Sequence, residues 1–171
     1  TSTNFDPSAF AGWSFDANTR LGSPAYSPDG SKLAWVIGGP TVAFGDWGAA
    51  VAIFDLQAQT VQIVGEYKIV GTDGWPSAPQ WSPDGQWVAV QEWSVDRSQE
   101  GLWLYRTDGS AREHLGAQTA EVVWGADGST LAFTRYAQDG ERDYFVMNIN
   151  SGEKVVFDLP GFARLLGWFG G

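Results

Sequence analysis

The feature that most constrains this chain is a strand-turn-strand unit that occurs three times. AYSPDGSKLAW, beginning at Ala25, returns as QWSPDGQWVAV from Gln80 and, more loosely, as VWGADGSTLAF from Val123. Asp29, Asp84 and Asp127 fall in register without gaps. The second interval matches the ~40–45 residues of one four-stranded propeller blade, and the first exceeds it by about a dozen. Repeats therefore begin near residues 23, 78 and 121.

Each unit reads as two strands around a tight turn. Pro28 and Pro83 preset the backbone angle for the second position of a type I turn, and Gly30, Gly85 and Gly128 supply the positive φ needed before the next strand. Leu33, Val88 and Leu131 then alternate with smaller or polar neighbours toward Trp35, Val90 and Phe133, the period of a half-buried strand. A second hairpin follows each unit: VAIFDLQAQTVQIV from Val51, LWLYRTDGSAREHL from Leu102 and YFVMNINSGEKVVF from Tyr144. Two hairpins make a four-stranded antiparallel sheet, and such sheets repeated along a chain stack radially around a channel. The predicted fold is all-β, a β-propeller.

The SPDG turn followed by an apolar strand resembles the TolB-like family of propeller repeats, also found in the propellers of prolyl-oligopeptidase-type peptidases. The resemblance covers nearly the whole chain. In the third copy Gly125 and Ala126 replace Ser and Pro, a departure from the pattern at that turn. Neither the helical domain that precedes the propeller in TolB nor a hydrolase domain is recognised in this stretch. The resemblance implies a binding platform, a gate or, occasionally, an enzyme, because fold does not fix function.

Residues 1–171 read as a single domain of about three and a half blades, fewer than the roughly four of a closed ring. RLLGWFGG places Trp168 where Trp81 and Trp124 stand, so a fourth blade begins there; AGWSFDANTRLGS reads as the closing hairpin of a preceding blade. Two explanations compete: a piece of a larger propeller, or a homodimer in which two copies complete one ring. Open edge strands favour pairing in either case.

Composition narrows the chemistry. Twenty acidic against ten basic side chains leave a net charge of −10, the wrong sign for nucleic acid or an anionic lipid surface. The absence of cysteine removes disulfides, thiolate zinc sites and a cysteine nucleophile. A single histidine, His114, removes multi-histidine metal sites and argues against a histidine-relay hydrolase; it reads as structural. No GxSxG elbow or phosphate-cradling loop occurs, and no apolar run approaches the ~18 residues of a membrane span. No catalytic residue, metal or cofactor is assigned, and membrane insertion is not expected.

In a propeller the loops between second and third strands, and those between blades, emerge on one face, opposite the SPDG turns. The insertions fall in the first group. IGGPTVAFGDWGAA presents Phe44, Asp46 and Trp47; GEYKIVGTDGWPSAP presents Tyr67, Asp73 and Trp75. The second blade adds Trp93, Asp96 and Arg97, and the third Tyr136, Asp139, Arg142 and Asp143. Aromatic platforms among carboxylates and arginines suit a protein, peptide or sugar. The plainer alternative is that Trp47 and Trp75 cap their own insertions. Trp81, Trp103 and Trp124 follow the repeat and are assigned to packing between blades. Asp139, Glu141 and Asp143 lack EF-hand spacing and read as a turn.

The leading expectation is a noncatalytic platform for a protein or peptide partner. The alternatives are the gating propeller of a larger peptidase and a carbohydrate-binding propeller using Trp47 and Trp75. The family resemblance, the lack of cysteine, the aromatic richness and the few lysines point to an extracytoplasmic bacterial protein.

Overall fold

A computed structural model describes residues 7–14, 19–42, 44–69, 77–137 and 141–157. Thirteen strands among them form three antiparallel sheets, one per repeat. In the first blade β1 (Arg20–Leu21) and β2 (Ala25–Tyr26) both pair with β3 (Lys32–Thr41), followed outward by β4 (Asp46–Asp55) and β5 (Thr60–Lys68). Together β1 and β2 are one interrupted inner strand; Pro24, which has no amide to donate, stands in the break. The second blade runs β6 (Gln80–Trp81), β7 (Trp87–Glu92), β8 (Gly101–Arg106) and β9 (Arg112–Ala117). The third runs β10 (Thr119–Trp124), β11 (Thr130–Tyr136), β12 (Arg142–Asn148) and β13 (Lys154–Phe157). This is the architecture of a partial β-propeller.

The period of two sorts side chains between neighbouring blades. Val88, Val90, Trp103 and Tyr105 of the second blade pack against Val36, Val51 and Ile53 of the first. The alternate residues Ala89, Leu104 and Leu115 pack against Leu131, Phe133, Phe145 and Met147 of the third. Two repeat-related hydrogen bonds join the inner strands: Trp81 Nε1 donates to the Ala25 carbonyl at 2.8 Å, and Trp124 Nε1 to the Gln80 carbonyl at 3.3 Å. The repeating tryptophans thus pack between blades and also tie them, since a half-buried indole N–H needs an acceptor.

The turns have the expected chemistry. Gly30, Gly85 and Gly128 sit at φ of 71°, 69° and 70°. Ser82 Oγ accepts from the Trp87 amide at 2.9 Å and donates to Asp84 Oδ1 at 2.6 Å; Ser27 makes the same bonds to Lys32 and Asp29. In the third copy Gly125 has no hydroxyl, and Asp127 Oδ1 accepts from the Thr130 amide directly at 3.0 Å. The turn survives its departure from the pattern.

Two expectations are corrected. The first insertion is not a loop: β3 and β4 pair continuously from Lys32 and Asp55 to Thr41 and Asp46, so the extra residues lengthen a hairpin. Nor does the described part of AGWSFDANTRLGS form a preceding blade. Arg20 and Leu21 belong to the first blade's inner strand, and Trp13 bridges to Thr41. A short 3₁₀ turn, Pro7–Phe10, places Phe10 against Phe54, with ring centroids 6.5 Å apart, over Ile37, Ala50 and Ala52. Residues before the repeat cover the free face of the first blade because that face is as apolar as the ones between blades.

Candidate functional site: a cleft between the second and third blades

Of the residues nominated from the first blade, Phe44, Trp47 and Tyr67 pack against neighbours and Asp46 is exposed. Phe44, at the hairpin tip, lays its ring over Gly48, where an added Cβ would fall 2.6 Å from it. Asp46 is exposed opposite Thr41, while Trp47 is half-buried against the core between the first two blades. Tyr67 lies in β5 rather than in a loop and is only 7% exposed. Burial, with the Glu92 carboxyl nearby, pushes its phenol far above the ordinary range. Asp73, Trp75, Asp139 and Trp168 lie outside the described residues.

Trp93, Tyr136 and Arg142 come together. The link from β9 to β10 is one residue, Gln118, bound on both sides: its amide donates to the Glu100 carbonyl at 3.1 Å and its carbonyl accepts from the Tyr136 amide at 3.1 Å. Thr119, buried beside it, accepts from the Leu102 amide at 2.8 Å and donates to the Gly116 carbonyl at 2.6 Å. These bonds hold the second and third blades in register at their upper ends. Between them opens a cleft of about 490 Å³, lined by Gln91, Trp93, Glu100, Thr119, Glu121 and Tyr136. Trp93 is 46% exposed and Tyr136 41%.

The backbone at the cleft is unusual. Gln118 has φ of 60° and Glu121 48°, left-handed values that cost a residue with a Cβ about 1–2 kcal/mol. Glu121 sits where the register between β10 and β11 shifts, and a bulge re-aims its side chain. Arg142 Nη1 donates to Glu121 Oε1 at 3.0 Å and its Nη2 to the Tyr136 hydroxyl at 3.0 Å. Its guanidinium carbon lies 4.7 Å from the Tyr136 ring centroid. Arg142 therefore anchors the aromatic wall. Arg97, on the neighbouring loop, extends into solvent with its side chain 90% exposed and reaches Glu100 at 3.5 Å.

Sequence reading found Trp93, Tyr136 and Arg142 because exposed aromatics and arginine stand out at loop ends. It missed Gln91, Glu100, Thr119 and Glu121. The signal available was a glutamate inside the otherwise apolar strand EVVW.

Several carboxylates outside the cleft are committed to their own turns. Hydrogen bonds from the Ser27 hydroxyl, then from Ser31, hold the Asp29 carboxyl down at about 2; the Ser129 hydroxyl and the Thr130 amide do so for Asp127. A smaller cleft of about 240 Å³ on the opposite face is lined by the Asp29 and Asp84 turns, and both carboxylates are spent on turn bonds. His114 stacks on Trp103 at 4.5 Å between centroids, and burial lowers its pKa. The cleft offers aromatic planes and oxygen acceptors, the equipment of recognition.

No family model matches the chain, and no curated protein does. Solved structures do. The β-propeller domain of the Trilobed protease from Pyrococcus furiosus, described as having an open velcro topology, superposes with a TM-score of 0.65 at 17% identity, over 87% of this chain and 46% of that one. AtxE2 isopeptidase gives 0.63 at 13% identity, over 82% and 30%. Pyrococcus horikoshii acylaminoacyl peptidase gives 0.59 at 14% identity, over 84% and 25%. The chain thus spans less than half the length of each. At such identities the likeness concerns fold alone, and that fold is the β-propeller found in these peptidases.

Proposed function

We propose that this chain is a noncatalytic binding module that receives a protein or peptide partner in the cleft between its second and third blades. The observation that carries the reading is the pairing of two exposed aromatics, Trp93 and Tyr136, on a frame fixed by Gln118 and Thr119. Amphipathic rings held rigidly lose little entropy on contact and anchor many interfaces. Panning a random peptide library against the protein tests it. Enrichment is expected with the wild-type chain and is lost when Trp93→Ala and Tyr136→Ala are combined. Equal enrichment on both surfaces would overturn the reading.

A second reading is favoured by the likeness to peptidase propellers: the module gates substrate entry to a hydrolase domain. The coding sequence on either side decides it, since a GxSxG elbow with later Asp and His would supply the missing chemistry. The resemblance to TolB-like repeats supports an extracytoplasmic location. Fractionation of cells expressing the full gene tests that.

A further inference from the structure

We propose that the cleft between the second and third blades recognises a guanidinium, the arginine side chain of a partner polypeptide. This rests on the reading of the cleft as the partner site. Two oxygens of cleft residues, Gln91 Oε1 and Glu121 Oε2, are buried with no hydrogen-bond partner. Such atoms are rare in folded proteins, because each gives up its bonds to water with no replacement. Both end soft torsions between sp³ and sp² atoms, which lets each reorient when a donor enters the cleft. Arg142 satisfies only the other oxygen of Glu121, and its remaining reach is taken by Tyr136.

A third acceptor, the Glu100 carboxylate, lines the same cleft. Its ion pair with Arg97 is long and joins a side chain that is almost fully exposed, the kind of pair that contributes little. The buried unpartnered atoms of these cleft residues are oxygens, and with Glu100 two of the three groups are carboxylates. An anion would meet repulsion, and a neutral apolar group would leave the oxygens unpaired.

Among cations the geometry favours a planar one. Trp93 and Tyr136 are both exposed, Tyr136 already carrying the Arg142 guanidinium on one face, and a further guanidinium can stack on an aromatic face while its five donors fan out in plane. An ammonium is a compact point charge with three donors and no face to stack. The net charge of −10 draws any cation toward the molecule.

The test titrates the blocked peptide acetyl-Gly-Gly-Arg-Gly-Gly-amide into isotope-labelled protein, following the Trp93 indole N–H by NMR. Citrulline and lysine versions are run in parallel. Citrulline keeps the shape of arginine and removes the charge. A saturable Trp93 shift is expected with arginine, with affinity at least about tenfold weaker for citrulline, the worth of one charge-assisted bond. Glu100→Gln and Glu121→Gln should each weaken arginine binding while leaving the rest of the spectrum in place. Equal affinities for arginine and citrulline, lysine binding as well as arginine, or no saturable shift with any peptide would each overturn the assignment. Library enrichment that depends on Trp93 and Tyr136 but shows no preference for arginine would overturn it too, while leaving the partner site standing. Loss of that enrichment altogether would instead remove the partner site.

Discussion

Glu92 ends β7 with 2% of its surface exposed, between the first two blades, and accepts a hydrogen bond from the Tyr105 hydroxyl. Burial pushes its carboxyl up to about 8, partly offset by the Arg112 charge. The Tyr67 phenol also lies close enough to feel its charge. The folded protein keeps this proton where the unfolded chain, with a pKa near the ordinary 4.5, has lost it. Stability therefore falls as pH rises from about 4.5 to about 8 and is level above, with a slope of at most about 1.4 kcal/mol per unit. Glu92→Gln keeps an acceptor for Tyr105 and removes the titration. Between pH 5 and pH 9 (roughly the titration window) its urea midpoint should decline less than the wild-type midpoint does. Parallel declines would refute the assignment. None of this was legible beforehand: a glutamate closing an apolar strand looks like any solvated end until a neighbouring blade covers it.

The hairpins show how far local chemistry reaches at the scale of an element. SPDG turns form wherever their residues occur, because their bonds lie within six residues of chain; even Gly125 in place of serine is tolerated once Asp127 takes the Thr130 amide. Gly65 is different. It lies where β5 bulges against β4, and a Cβ there would fall 2.1 Å from the Tyr105 ring of the next blade. Tyr105 is fully buried and bound to Glu92, so the ring has nowhere to go. Gly65→Ala is expected to cost about 1–3 kcal/mol, the range for overpacking, with folding retained. A chemical denaturation curve reads this directly; an unchanged midpoint would mean the blades can part without loss. In sequence Gly65 resembles a turn glycine, and only the neighbouring blade distinguishes it.

For the whole molecule the two ends of the array differ. Residues 7–14 cover the free face of the first blade through Phe10 and Trp13. At the other end every described residue of β13 is exposed, with Val155 at 48%, Val156 at 59% and Phe157 at 45%. An apolar outer strand with open hydrogen-bonding groups is where a second copy would pair. Ring completion by a second copy predicts twice the chain mass in light scattering across a dilution series, returned to single mass by Phe157→Lys. A single mass at every concentration excludes it. The Trilobed protease propeller is longer than this chain, and further blades of one polypeptide stacked on the faces of the sheets are the competing way to extend the array.

The three repeated sheets, their turn type and the tryptophans between blades were readable in the amino-acid pattern, because each depends on contacts within one repeat or on periodicity that every repeat shares. The cleft was readable only as its aromatic rim. Its acceptors come from the end of β7, the loop before β8 and a bulge in β10, and they meet because Gln118 joins two sheets through a single left-handed residue. Likewise the burial of Tyr67 and Glu92, and the covering of the first blade by Phe10, follow from which faces meet once the sheets stack. Hydrogen bonds inside a turn are short-range and specified locally; the desolvation that raises a carboxyl or strands an oxygen is set by neighbours distant in the chain, and the tertiary structure alone decides it.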